Sequence, residues 1–275
     1  MKIISDNNVK NNKIITKEEM ELILQTETPE IYEVIRVIEG KTVFLEEHFD
    51  RMNESIRLSG NNDKLDFYEY KSSAELLIRE NNLKNCNIRV SYYNKDYPVS
   101  LFYFIESYYP SKEEFKEGIH TVTIEIERKN PNVKSYQREF KDKLARIMKE
   151  NNAFEVILLN SDGTVSEGSR SNVFFVKGNK LITSPDSAVL LGVTRSKVVS
   201  LCEKNSIEVE RRRVKLEELK DFDAAFITGT SNDVLPINTV DSMVYNSSDN
   251  EVVKRVSELY LEEVMKEVKR WIWIS

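Results

Sequence analysis

The chain has 275 residues, 40% hydrophobic and 31% charged, with 8 Gly and 6 Pro, a composition that supports a substantial core and excludes disordered, fibrous and low-complexity classes. Two His and two Cys, each far from its like (His48, His120, Cys86, Cys202), exclude a zinc finger, a zinc ribbon or a disulfide framework, and no metal site is expected. Forty basic against 46 acidic side chains leave a formal charge of -6, which opposes nucleic acid and anionic lipid alike.

Thr16-Lys-Glu-Glu19 is a capping-box pattern that opens a short helix. Residues 31–37 and 42–45 read as a strand pair turning at Glu39-Gly40. Leu45, Phe49, Met52 and Ile56 then recur at helical spacing, so residues 45–58 form an amphipathic helix with Gly60 as its stop. A second capping pattern, Ser72-Ser-Ala-Glu75, predicts a helix start, and residues 88–93 and 99–105 follow as strands rich in β-branched and aromatic side chains. The polar stretch 108–118, broken by Pro110 and Gly118, marks a domain boundary. The expected organisation is a smaller N-terminal domain of residues 1–112, a linker of 113–118 and a larger C-terminal domain of 119–275, both domains mixing helices and strands.

Beyond the boundary Val122, Ile124 and Ile126 alternate with polar residues as in a half-buried strand. The loop Lys129-Asn-Pro-Asn132 leads to a helix with the apolar stripe Tyr136, Phe140, Leu144 and Ile147. Short strands are expected at 154–159, 164–167, 173–176 and 180–183, with turns at Asn160-Ser-Asp-Gly163 and Lys177-Gly-Asn179. Arg211-Arg212-Arg213 lacks interleaved aromatic residues and reads as a solvated turn, not a nucleic-acid patch. Ser248-Asp-Asn-Glu251 is a third capping pattern, heading a long helix over 251–271. The apolar runs 99–105 and 189–191 are too short to cross a bilayer. Lone thiols, and the lack of a basic N-terminal stretch leading into an apolar run, predict a cytoplasmic protein.

Four stretches hold polar residues that neither core nor surface requires. Arg51 lies off the apolar stripe of its helix, at about 100° per residue, where its planar fork suits a phosphate or carboxylate. Lys134, in Asn132-Val-Lys-Ser-Tyr136, stands on a loop before a helix; partial burial would favour its neutral, nucleophilic amine. Glu167 is a carboxylate followed by the small polar run Gly168-Ser-Arg-Ser-Asn172. Leu191-Gly-Val-Thr-Arg195 and Thr228-Gly-Thr-Ser-Asn232 each follow apolar residues with Gly and hydroxyls, a pattern in which free backbone amides hold an anion.

Taken together these stretches resemble the class IV, or fold-type IV, pyridoxal-phosphate enzymes: D-amino-acid aminotransferases, branched-chain aminotransferases and 4-amino-4-deoxychorismate lyases. The resemblance is carried in order by Tyr32-Glu-Val-Ile-Arg-Val37, Leu45-Glu-Glu-His-Phe-Asp-Arg51, Val133-Lys-Ser135, Asp162-Gly-Thr-Val-Ser-Glu-Gly-Ser-Arg-Ser-Asn-Val-Phe174, Leu191-Gly-Val-Thr-Arg195 and Thr228-Gly-Thr230 with Pro236. It implies an α+β, two-domain, D-amino-acid aminotransferase-like fold, with pyridoxal 5'-phosphate between the domains, and a homodimer. Lys134 corresponds to the Schiff-base lysine and proton shuttle, and Glu167 to the carboxylate facing the pyridine nitrogen. Arg51, Val193, Thr194 and Thr230 correspond to the phosphate cradle, and Tyr32 and Arg89 to candidates for substrate-carboxylate contact.

Three departures stand out. The residues after the lysine read Ser135-Tyr-Gln-Arg-Glu-Phe-Lys141, so Lys141 and Lys143 stay open as alternative amines, although Lys134 fits better. Arg170 replaces a small residue and either narrows the pocket or points outward. Tyr92-Tyr-Asn-Lys-Asp-Tyr97 lacks the Arg-x-His pair of the D-amino-acid enzymes, whereas residues 81–89 look more like the branched-chain group. The expected activity is transfer of an amino group between an amino acid, with branched-chain amino acids as candidates, and a 2-oxo acid. The alternatives are a 4-amino-4-deoxychorismate lyase releasing pyruvate and a non-catalytic binding protein that keeps the fold.

Overall fold

Apolar and polar side chains alternate along Ile31–Ile38, and the computed structural model turns that alternation into a strand that buries every second residue. The structure describes residues 2–26, 31–94, 97–128 and 130–274. By contact they form two units: Met1–Tyr108 with Val133–Tyr136 and Val264–Ser275, and Tyr109–Asn132 with Gln137–Glu263.

The first unit holds β1 (Asn7–Lys10), β2 (Lys13–Thr16), α1 (Lys17–Thr26), β3 (Ile31–Ile38), β4 (Lys41–Thr42), α2 (Leu45–Leu58), α3 (Phe67–Asn81), β5 (Cys86–Asn94) and β6 (Pro98–Ile105). Its antiparallel sheet runs β2-β1-β6-β5-β3-β4. The buried faces of β3 and β5 pack with Met52 and Ile56 of α2 and with Ala74 and Leu77 of α3 in one core. The capping box at the start of α1 is present: the Glu19 carboxylate accepts from the Thr16 amide and the Thr16 hydroxyl from the Glu19 amide.

Two features depart from the sequence-based expectation. The β1–β2 hairpin, which hydropathy did not reveal, turns on Asn11 and Asn12, both at positive φ, a conformation asparagine tolerates. The second helix start lies earlier than the pattern at Ser72 indicated. Asp66 caps α3 by accepting from the Glu69 amide, and Ser72 falls inside the helix. Glu75 is instead buried and accepts from the Ile274 amide.

The second unit begins, within the segment expected as a linker, with the short helix α4 (Lys112–Glu117), capped by reciprocal bonds between Ser111 and Glu114. It continues with β7 (Ile119–Glu125), α5 (Arg138–Glu150), β8 (Glu155–Leu159), β9 (Val165–Gly168), β10 (Asn172–Lys177), β11 (Lys180–Thr183) and α6 (Val193–Lys204). Then come β12 (Glu208–Arg211), β13 (Ala224–Gly229), β14 (Asp233–Val240), β15 (Met243–Val244) and α7 (Glu251–Arg270), whose last residues group with the first unit. The mixed sheet runs β12-β11-β10-β13-β14-β7-β8-β9, with β15 beside β14. The cap of α7 is Asn250, accepting from the Val252 and Val253 amides, in place of the expected Ser248.

The basic run is neutralised locally. Arg211 pairs with Glu203, Arg212 with Glu218 and Arg213 with Asp162. No described helix is long and apolar enough to cross a membrane, and no described cluster of His, Cys, Asp or Glu forms a metal site. Lys129, expected in a loop, lies outside the described residues, as do Lys95 and Asp96 within the stretch compared with the D-amino-acid enzymes.

Phe226 is fully buried and stacks on Phe174 with ring centroids 5.0 Å apart. Phe226→Ala therefore removes core volume that the surrounding sheet refills only in part. Denaturant unfolding is expected to show a loss of about 3–5 kcal/mol.

Candidate active site

The buried face of β3 carries Ile31, Glu33, Ile35 and Val37, so a carboxylate stands in phase with three apolar side chains. Such a group is costly unless its charge is matched. The matching groups come from successive turns of α2. Arg51 donates Nε to Glu33 Oε1 at 2.7 Å and Nη2 to Oε2 at 2.6 Å, a bidentate fork. His48 Nδ1 lies 2.8 Å from Oε2.

Burial alone would raise the Glu33 carboxyl, but the Arg51 charge and the bonds from His48 and Arg51 outweigh it and hold the group far below the usual carboxylate range. Burial lowers the His48 imidazole, with smaller contributions from the Arg51 and Lys134 charges, against the opposing pull of Glu33. We take His48 as neutral and donating to a carboxylate already balanced by Arg51.

Lys134 lies on the short segment Val133–Tyr136, which groups with this unit. Its amide donates to Ser55 Oγ at 3.3 Å and its carbonyl accepts from the Tyr32 amide at 3.1 Å, so α2 and β3 grip its backbone together. Its Nζ is 5.0 Å from the Tyr32 ring centroid. Arg89, on β5 and 4% exposed, lies over the same ring at 4.0 Å and over Tyr136 at 5.0 Å. It donates Nε to Ser91 Oγ at 3.3 Å, and no carboxylate among the described residues pairs with it. Thus Arg51, Lys134, Tyr32 and Arg89 come together in one unit. Lys141 and Lys143 instead lie within α5, and Lys143 is exposed.

In the second unit Glu167, 2% exposed, is the penultimate residue of β9. Arg128 Nη1 donates to its Oε1, while Asn172 Nδ2 at 3.3 Å and the Leu190 amide at 3.1 Å donate to Oε2. Asn172 also donates to the Leu190 carbonyl at 2.9 Å, which ties Glu167 to the chain entering α6. Gly192 opens that helix with no side-chain bond to the first-turn amides, where Val193 and Thr194 are buried. A Cβ at Gly192 would stand 2.2 Å from Asn172 Oδ1, so the close approach requires glycine. The Thr194 hydroxyl lies 3.3 Å from that of Tyr260.

The stretch Thr228 to Asn232 does not open a helix. It is the turn between β13 and β14, with Thr230 half-buried at its tip. The neighbouring Thr228 hydroxyl is buried without a hydrogen-bond partner among the described residues. Arg170 is about half exposed, with Nη2 on the Phe154 carbonyl and its guanidinium over the Phe154 ring. The α6 amides without a side-chain cap and the orphaned Thr228 hydroxyl are donors that fit a phosphate group, and the buried carboxylate fits a ring nitrogen.

Glu33, Arg128 and Asn172 were not singled out as site residues. Glu33 carried a usable signal, being charged in phase with buried apolar positions. Arg128 carried none, since nothing in its neighbours distinguishes it from a surface cation.

The amino-transferase class IV family model matches residues 30–240. The D-alanine aminotransferase of Bacillus licheniformis is 28% identical over 255 residues, covering 88% of this chain and 90% of that protein. A structure of a putative branched-chain amino acid aminotransferase from Thermotoga maritima superposes with a TM-score of 0.81 at 26% identity, over 98% of this chain and 99% of that one. The pyridoxal-phosphate form of the branched-chain aminotransferase of Thermobaculum terrenum gives 0.81 at 23% identity, over 96% and 95%, and shows the shared fold. The expected α+β aminotransferase fold is the one observed.

Both groups around Arg51 make the first unit acid-labile. The unfolded chain protonates His48 at about pH 6.5 and Glu33 at about 4.3, before the folded one does, so stability falls as pH drops through each value. The thermal midpoint should decline from pH 7 to 5 and faster below; His48→Gln should flatten the first decline and leave the second. Gly192→Ala, which must push Asn172 aside, should cost about 1–3 kcal/mol in denaturant unfolding.

Proposed function

Because the chain belongs to the amino-transferase class IV family, we propose that it transfers an amino group between an amino acid and a 2-oxo acid with pyridoxal 5'-phosphate as cofactor. The observation that carries this reading is Lys134, gripped through its backbone by Ser55 and Tyr32 and grouped with Arg51 and Arg89. When bound, pyridoxal phosphate supplies an aldehyde that captures amines and a ring that withdraws electrons from the substrate's α-carbon.

The protein's own groups do the rest. Lys134 Nζ is the amine that would hold the cofactor and carry the proton of the substrate's α-carbon. Glu167 is the carboxylate that would pair with the ring nitrogen and favour its protonated form. In the first unit Arg51, its fork fixed by Glu33, would bind a phosphate; in the second, the Val193 and Thr194 amides and the Thr194 and Thr230 hydroxyls would do so. Arg89, a buried cation with no carboxylate partner among the described residues, takes the substrate carboxylate beside Tyr32.

Relatives carry both D-alanine and branched-chain names; we favour a branched-chain substrate, because the sequence around Arg89 resembles that group. A homodimer belongs to the same proposal, and two buried free cysteines support a cytoplasmic setting.

Wild-type protein mixed with pyridoxal phosphate should develop the visible absorption of a lysine-bound cofactor, and Lys134→Ala should lack it. An unchanged band in that variant would move the role to Lys141 or Lys143, and no band in wild type would leave a binding protein. Branched-chain amino acids with 2-oxoglutarate should yield glutamate. Pyruvate release from aminodeoxychorismate without transamination would make the chain a lyase.

A further inference from the structure

Glu167 is surrounded by donors of unequal character. On Oε2 the Asn172 amide and the Leu190 backbone N–H are neutral dipoles at 3.3 and 3.1 Å. On Oε1 the Arg128 guanidinium brings a full positive charge, and the side chains of this pair are 15% and 3% exposed. Screening by water is weak at such a site, so the added charge is felt strongly. Asn172 is itself anchored to the Leu190 carbonyl at 2.9 Å, beside the close approach at Gly192. Neutral groups that are fixed in their own right therefore orient the carboxylate, and what Arg128 contributes beyond them is charge.

We propose that Arg128 is a positioning residue acting through Glu167: it offsets part of the carboxylate's charge and so weakens the grip of Glu167 on a protonated ring nitrogen. The inference rests on the reading of Glu167 as the group facing that nitrogen. A carboxylate held by neutral donors alone would bind a protonated ring more tightly. With Arg128 present, cofactor affinity leans further on the phosphate and lysine contacts, and the ring nitrogen is held less firmly in its charged form.

The test compares dissociation constants for pyridoxal phosphate and for its deaza analogue, in which carbon replaces the ring nitrogen, measured by absorbance or fluorescence titration. The ratio of the two cancels the phosphate and lysine contributions. Circular dichroism establishes that each variant folds. Arg128→Met should raise the preference for pyridoxal phosphate about three- to tenfold. Arg128→Gln, neutral but still a donor, should do the same and replaces the Met variant if that one does not fold. Arg128→Lys keeps the charge and should stay within about twofold of wild type. An unchanged or reduced preference in the neutral variants, or a rise in the Lys variant equal to theirs, overturns the proposal. Glu167→Gln should remove most of the preference; if it leaves the wild-type ratio, Glu167 does not face the nitrogen, and the reading beneath the proposal falls with it.

Discussion

A carboxylate without water organises the first unit. Glu33 sits on a strand face otherwise given to Ile31, Ile35 and Val37, and burying it unpaired would cost several kcal/mol. That cost obliges α2 to present Arg51 and His48, three residues apart and so neighbouring on one helix face, toward β3. The same helix places Ser55 one turn further on, where it meets the Lys134 amide. The orientation of a helix, the aim of a guanidinium and the anchoring of an amine thus depend on one buried charge.

The second unit solves a comparable problem by close packing. Glu167, Asn172 and Leu190 form a connected set of hydrogen bonds, and the set closes because residue 192 has no side chain. A buried polar network of this kind is stable when its members are satisfied together. Glu155 does the same for the adjoining turn. It is fully buried and accepts from the Ser169 amide and hydroxyl and from Ser171 Oγ, which shapes the four residues separating Glu167 from Asn172.

Much of this was legible from the residues. Helix α2 follows from the recurrence of Leu45, Phe49, Met52 and Ile56, and the strands of the second unit follow from short apolar runs between turn residues. What was not legible depended on partners remote in sequence. The pattern Ser72 to Glu75 mimics a helix start, yet its glutamate is consumed by the Ile274 amide from the other end of the chain. The β1–β2 hairpin has only Val9 as an apolar residue in β1 and turns on two asparagines, so it leaves little hydrophobic signature. Arg128 became visible as the partner of a buried carboxylate only when the fold set it against Glu167.

The lysine segment itself has a kinetic consequence. Val133–Tyr136 belongs by contact to the first unit, while the chain on either side of it belongs to the second. The bond from the Tyr32 amide to the Lys134 carbonyl closes a loop of about a hundred residues, a non-local contact of the kind that forms slowly. Synthesis of residues 1–108 alone therefore leaves β3 and α2 without the strand of chain that Tyr32 and Ser55 bind. The Lys134 amine therefore reaches its place only once the chain has been made to about its midpoint, and residues 1–108 alone carry no anchored lysine.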